Sequence, residues 1–184
     1  MNFNSFCSEG VTLSGTADFS GTININTEQL SQFTLTFSNL TATLGSDSLT
    51  LDGDITYNFG PPAAVTMDMR QRDNASGKVY WVSDYVMTVS EGLDYIEFAV
   101  SGRFYDPDYG YVELSTPTPF RIYSGQDWPS QGVMICTGNN NTKAHLMVMP
   151  SAPPPSPTPS TFAVSADTNG DGIYDWYVDN LNWQ

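Results

Sequence analysis

Basic residues are scarce in this chain. Six Lys and Arg stand against twenty Asp and Glu in 184 residues, a formal net charge of -14 with the one histidine neutral. Without clustered cations the chain has little to offer phosphate groups, which argues against nucleic acid and against docking on an anionic membrane surface. One histidine and two distant cysteines leave no Cys/His zinc set. A Ser/His/Asp mechanism would rest on His145 alone, which parity places on an outer face beside Lys143 and Met147, and no Gly-x-Ser-x-Gly turn accompanies it. No stretch approaches the roughly 20 consecutive apolar residues that span a bilayer. The first ten residues, MNFNSFCSEG, lack the basic start and apolar run of a secretory signal. Helical periodicity is missing too: no segment of twelve or more residues shows it, and Asn26 to Gln32 offers one turn at most. With no helix there is no phosphate-cradling loop ahead of one, which disfavours nucleotide chemistry.

What the chain does have is aromatic and small polar residues. Tyr 10, Phe 10 and Trp 4 make 13% of the sequence, and Ser, Thr, Asn and Gly fill most polar positions. So many large apolar groups exclude disorder. The missing signal fits a cytosolic protein or one whose leader has been removed; the low-lysine, Thr/Asn/Tyr-rich composition favours the second, an all-β protein in the extracellular space or the cell envelope, periplasmic or outer-surface.

Period-2 alternation dominates, the mark of strands with one buried and one solvated face. Val11, Leu13, Ala17 and Phe19 alternate with Thr12, Ser14, Thr16 and Asp18. Phe33, Leu35 and Phe37 alternate with threonines, and a parity change near Asn39 reads as a bulge or a turn before Leu40, Ala42 and Leu44. Leu49 to Phe59 continues the pattern up to the breaker Gly60-Pro61-Pro62, and Val65, Met67 and Met69 lead to the turn Asp73–Gly77. Tyr80 to Val89, Ile96 to Phe104, Val133 to Thr137 and Ala144 to Val148 supply further strands, and Val112 and Leu114 precede Thr116-Pro117-Thr118-Pro119, after which Phe120 and Ile122 resume the pattern. Pro117 and Pro119 suit an edge strand or a bend.

Residues 150 to 160, PSAPPPSPTPS, favour an extended polyproline connector. The 24 residues after it are too few for a core of their own, so 161–184 is expected to return as a hairpin, with Phe162, Val164 and Ala166 going out and Tyr174, Trp176 and Val178 coming back. The expectation is one all-β domain over 1–184, an antiparallel meander of about ten or eleven strands folded as a β-sandwich, with a curled β-barrel as the alternative.

The sharpest local motif is Asp167-Thr168-Asn169-Gly170-Asp171-Gly172-Ile173-Tyr174-Asp175. Oxygen side chains at positions 1, 3 and 5 (Asp167, Asn169, Asp171), glycine at 6 and the Ile173 carbonyl at 7 match the first half of a calcium loop, for a hard cation that wants six to eight oxygens. The motif resembles the Asp-rich calcium repeats of thrombospondin type 3 and dockerin-like segments. Position 12 is Val178 rather than a bidentate Glu, so Asp175 or Asp179 would have to complete the ligand set, and there is one copy where those families have several. The rival reading is a hairpin turn, since Asn-Gly-Asp-Gly suits positive backbone dihedrals.

A second feature surrounds two carboxylates with tyrosines: Tyr105, Asp106, Asp108, Tyr109 and Tyr111. It reads either as a sugar-stacking patch or as a β-turn whose tyrosines cover a sheet edge. In an oxidising compartment Cys7 and Cys136 can pair and close a long loop; otherwise they are one exposed and one buried thiol. Two carboxylates across a cleft suffice for a glycosidase, and Asp94, Glu97, Asp106 and Glu113 are candidates, but twenty acidic residues make some such pair inevitable. Asn39-Leu40-Thr41, Asn74-Ala75-Ser76 and Asn140-Asn141-Thr142 fit the glycosylation sequon, which bears only on a eukaryotic source.

The run Ser101–Val112, the run Thr116–Gly125, the strand opening Thr142-Lys143-Ala144 and the closing Asp-x-Asn-Gly-Asp-Gly turn before Trp176 together resemble a group of uncharacterised bacterial cell-envelope β-rich proteins, often lipoproteins, over the C-terminal half. That resemblance implies location more than activity. The lipobox of such lipoproteins is missing, because Cys7 follows Asn4-Ser5-Phe6 rather than an apolar run. The sequence reading is therefore a non-enzymatic secreted or envelope β-domain with a structural, adhesive or interaction role, its partners glycans, another envelope protein or further copies of itself. The alternative is a calcium-supported carbohydrate-binding module using Tyr105, Tyr109, Tyr111, Trp81 and Trp128, and a glycoside hydrolase stands third.

Overall fold

Alternation that runs unbroken for a dozen residues makes long strands, and those of the first half are long. In the computed structural model, which describes residues 1–149 and 161–183, the elements are β1 (Asn2–Ser8), β2 (Val11–Asn24), β3 (Gln29–Leu44), β4 (Asp47–Asn58), β5 (Ala63–Asp73), β6 (Val79–Glu91), β7 (Tyr95–Asp106), β8 (Gly110–Tyr123), β9 (Gln131–Thr137), β10 (Lys143–Met149), β11 (Thr161–Asp167) and β12 (Trp176–Asn182). Each strand pairs with its neighbours in sequence, so the hydrogen-bonded order is β1 through β12 in one sheet. The antiparallel meander is as the sequence indicates. The strands number twelve rather than ten or eleven, and the sheet is not closed, which removes the curled barrel. Nor does the hydrogen bonding break into the two sheets of a sandwich. The reason is local: parity changes that could have been corners between sheets are bulges inside continuous strands. The proline-rich connector at 150–160 lies outside the described residues.

The chain divides into two compact units, Met1–Val86 with Phe104–Tyr109, and Met87–Arg103 with Gly110–Gln184. In the first unit the register aligns like with like across four strands. Phe19 faces Leu35, Ile55 and Met67 in successive strands, and Gly21 faces Phe33, Tyr57 and Val65. One residue along, Asp18 faces Thr36, Asp54 and Asp68, and Ser20 faces Thr34, Thr56 and Thr66. Because side chains alternate across a strand, one face of β2–β5 is apolar save for Asp47 and Asp73 at one end, and the other carries hydroxyls and carboxylates with Arg70 and Arg72 among them. Thr34 and Thr56 share a hydroxyl hydrogen bond of 2.8 Å on that polar face, and Thr41 and Thr50 one of 3.0 Å.

The parity change near Asn39 is a bulge, and it keeps Leu40, Ala42 and Leu44 on the apolar face. Pairing jumps from Phe37 to Leu40 against β4, and Asn39 takes φ 48°. Asn39 donates its backbone N–H to the Asp52 carboxylate at 2.7 Å. Gly15, at φ +113°, lies against the bulge so closely that a Cβ there would sit 2.2 Å from the Asn39 carbonyl oxygen. Gly53, at φ +122°, is pressed as tightly by β5, where a Cβ would meet the Asp68 carbonyl oxygen at 2.1 Å. Only glycine fits either place.

In the second unit β10 sits between β9 and β11, with Leu146 opposite Met134 and Val164. β11 and β12 form a hairpin in which Phe162 faces Leu181 and Ala166 faces Trp176. Pro117 and Pro119 lie in β8, an interior strand and not an edge. Register shifts beside Thr118 absorb them, and the Thr116 hydroxyl bridges to β7 by accepting from the Val100 N–H at 2.9 Å and donating to the Val100 carbonyl at 2.8 Å. The Phe120 ring lies over Gly132 and stacks on Phe98 at 5.1 Å. Among the described residues, the buried hydrophobics are Ala17, Leu40, Phe120, Val148 and Ala163. Most of the apolar alternation is therefore only half-buried.

Candidate functional site

The Asp-rich turn between β11 and β12 is organised around one buried carboxylate. Asp167 is 1% exposed. Its Oδ1 accepts the Gly170 N–H at 2.7 Å and its Oδ2 accepts the Gly172 N–H at 2.9 Å. Asp171 accepts the Ile173 N–H at 2.8 Å, while Asn169 Oδ1 accepts the Asp171 N–H at 2.9 Å. Asp175 closes the turn by accepting the Thr168 hydroxyl at 2.6 Å, and that bond together with the Thr168 N–H holds its carboxyl below the usual aspartate range. Asp179 stands apart on β12. The oxygens of Asp167, Asn169 and Asp171 thus bind the loop's own amides, and no group of three or more His, Cys, Asp or Glu among the described residues is placed to hold a metal ion. As it stands, the arrangement is a self-capped turn.

The tyrosine and carboxylate patch is similarly engaged. Asp106 Oδ1 accepts the N–H groups of Asp108 and Tyr109, at 2.8 and 3.1 Å, which makes the turn. Asp108 pairs with Lys78, whose ammonium it holds above the ordinary lysine value. Tyr109 projects freely at 91% exposure and Tyr105 is exposed. Tyr111, in the second unit, carries the Arg103 guanidinium 4.8 Å above its ring. Other aromatic faces are capped in the same way: Arg70 lies 4.7 Å over Trp81, and Arg121 lies 4.1 Å over Tyr95. Trp128 stacks on Trp183 at 5.6 Å and 8°. Of the five rings the sequence nominated for sugar stacking, Trp81, Tyr111 and Trp128 each have a face covered.

Three of the four carboxylates nominated for acid/base chemistry, those of Glu97, Glu113 and Asp106, are tied up as well. Glu97 accepts two hydrogen bonds from Arg121, at 2.9 and 2.6 Å, and Tyr123 and Glu97 together hold that guanidinium above its usual value. Glu113 pairs with Arg103, and Asp106 caps its turn. Asp94 offers its backbone carbonyl to Ser124 at 2.8 Å. His145 stacks beside Tyr174 with ring centres 5.7 Å apart.

Cys7 and Cys136 are both free thiols in this structure. Cys7 is exposed opposite Thr12 of β2, whereas Cys136 lies in β9 between Ala144 and Leu114, its thiol pushed up by burial.

The surface that stands out was not nominated as a site from the sequence. On the apolar face of β2–β5, Phe33 stacks on Tyr57 at 4.5 Å and 14°, touches Phe59 at 5.8 Å and meets Phe19 at 5.6 Å. Phe19, Ile23 and Phe59 remain 60, 61 and 53% exposed, and Leu30 beside them is exposed too. Leu30 and Phe19 reach over Gly21 from either side, so the patch is continuous. At the far end of this face an open depression of ≈ 700 Å³ is lined by Val11, Ala42, Leu44, Leu49, Asp73 and Tyr80. The signal was present in the sequence as four successive strands of matched alternation. It became a patch only once the register put those positions side by side.

No protein-family model matches the chain, and comparisons with curated proteins and with solved structures find no match. No helix among the described residues is long and apolar enough to cross a membrane.

Proposed function

We propose that this chain is a non-enzymatic β-domain of a secreted or cell-envelope protein, with a structural or adhesive role exercised through the apolar face of β2–β5. The observation that carries this reading is that face: an aromatic and aliphatic surface, half-exposed, backed by a hydroxyl and carboxylate face. Contiguous exposed apolar patches on soluble proteins mark interaction sites. The carbohydrate-binding alternative draws less support, because rings that lie under arginine or against one another do not present a free platform for a pyranose. Glycoside hydrolysis draws less still, with Glu97 and Glu113 held by arginines.

The test is retention of the intact protein on alkyl-coated beads against hydroxyl-coated beads. The wild type should be retained by the alkyl surface, and Phe19→Ser combined with Phe59→Ser should release it. Equal retention of both proteins contradicts the reading. Release of sugar from a panel of polysaccharides would overturn its non-enzymatic part.

A further inference from the structure

We infer that the apolar face of β2–β5 is covered by the same face of a second copy of this chain, so that sheets from two molecules pack face to face. The inference rests on the interaction role proposed above and names the partner.

Three observations carry it. The first is charge. A chain of net charge -14 repels its own copies, so self-association needs a surface without charge. Along the apolar face, from Leu51 to Tyr57 on β4 and from Val65 to Gln71 on β5, there is no Asp, Glu, Lys, Arg or His; Asp47 and Asp73 stand at its far end, beside Leu44 and Leu49, while Asp18, Asp54 and Asp68 point to the opposite side. Face-to-face pairing therefore sends both carboxylate faces outward, where water and counterions screen them. A cationic partner would be drawn to that other face, and the same charge opposes an anionic lipid surface.

The second is area. Four strands at about 4.8 Å spacing and about eight residues at about 3.4 Å each, the stretch without Asp47 and Asp73, give a face of about 500 Å². Two such faces total about 1,000 Å², the size of a weak, reversible interface.

The third is shape and chemistry. A sheet has to bury its apolar face against another layer, and sheets stack face to face about 10 Å apart at about -30°. Phe19, Ile23, Leu30 and Phe59, which stand exposed around the stacked Phe33 and Tyr57 rings, would supply the interdigitating side chains. A two-fold axis through the patch sets each residue against its own group, as a symmetric dimer requires.

Sedimentation velocity of the intact chain tests this across about 1 to 100 µM, a range that reaches the weak end of interfaces this size. The wild type should pass from monomer to dimer, and more readily at higher salt, because screening weakens the repulsion and leaves the apolar contact intact. Phe19→Ser with Phe59→Ser alters only exposed side chains, so the fold is kept, as circular dichroism will verify, and association should weaken at least tenfold. Thr36→Glu, on the polar face, should dimerise like the wild type. A wild type that stays monomeric throughout overturns the inference, as does a double variant that dimerises equally well. A monomer that floats with phosphatidylcholine vesicles overturns it in favour of lipid. If the double variant loses alkyl-bead retention while the wild type is monomeric, the adhesive reading stands and only the second copy falls.

Discussion

Removing the Asp167 carboxylate should cost more than any other single change in the β11–β12 hairpin. The side chain is 1% exposed and accepts two backbone N–H groups, those of Gly170 at 2.7 Å and Gly172 at 2.9 Å. A hydrogen bond to a charged acceptor contributes about 1.5 to 3 kcal/mol, while the amides released are those of half-buried Gly170 and exposed Gly172, the second of which water can reach. Losing both bonds, less the relief of no longer burying a charge, puts Asp167→Ala at about 3 kcal/mol. The loop has little room to relax, since a Cβ at Gly170 would lie 2.0 Å from the Asn140 carbonyl oxygen. Asp167→Asn keeps one carbonyl acceptor and should lose about half as much. Asp171→Asn, at an exposed position, should lose under about 1 kcal/mol. Urea unfolding followed by tryptophan fluorescence reads this directly, because Trp128, Trp176 and Trp183 all belong to the second unit. With a slope of about 2 kcal/mol per molar, the Asp167→Ala midpoint should fall by about 1.5 M at unchanged slope. A loss below about 1 kcal/mol, or an equal loss in Asp171→Asn, would refute the self-capped turn. The same series with calcium and with chelator separates the two readings of the motif. A self-capped turn shows the same differences in both. A wild-type midpoint that rises with calcium, and fails to rise in Asp171→Asn, would establish a calcium site.

Gly15→Ala and Gly53→Ala should each destabilise by about 3 kcal/mol or more in thermal or urea melts, because a positive φ and a backbone oxygen within 2.2 Å combine against a Cβ. Gly77→Ala, with positive φ and open space around it, should cost only about 1 kcal/mol. Thiol labelling under native conditions should modify Cys7 quickly and Cys136 slowly, since burial keeps Cys136 protonated; a chain that labels only after reduction would establish the disulfide. For Asp175 the folded pKa lies below the unfolded one, so its contribution is present above about pH 4 and lost as pH falls through the folded value. An NMR titration should show Asp175 protonating below the ordinary aspartate range and Thr168→Val moving it back up; an unmoved midpoint removes the Thr168 hydroxyl as the cause.

Strand identity was legible along most of the chain because period-2 alternation needs no tertiary information. Phe33, Leu35 and Phe37 between threonines specify a two-faced strand wherever they lie. The shift near Asn39 was legible as one of two things, and the choice was made by neighbours distant in sequence: Gly15 on β2 accommodates the extra residue, which makes a bulge where a turn would otherwise do. Pro117 and Pro119 misdirected the reading toward an edge because their missing donors say nothing of the Thr116 hydroxyl that bridges to Val100. The layering was not legible, since alternation states that a face is apolar but not what covers it. Site residues fared similarly. The Asp167 to Asp175 motif was visible as a string of oxygens, yet whether they turn toward an ion or toward their own loop depends on backbone geometry. The arginines over Trp81, Tyr95 and Tyr111 come from adjacent strands, so only the register reveals that those rings are covered.

The central claim is that the apolar face of β2–β5 is the working surface, and side-chain footprinting with a short-lived radical tests it most directly. The intact chain would be labelled at low and at high protein concentration and mapped by mass spectrometry. Phe19, Ile23, Leu30 and Phe59 should lose labelling as concentration rises, while the exposed aromatics Tyr109 and Trp176 keep theirs. Uniform labelling at both concentrations, or protection that falls on Tyr109 and Trp176 instead, would contradict the account.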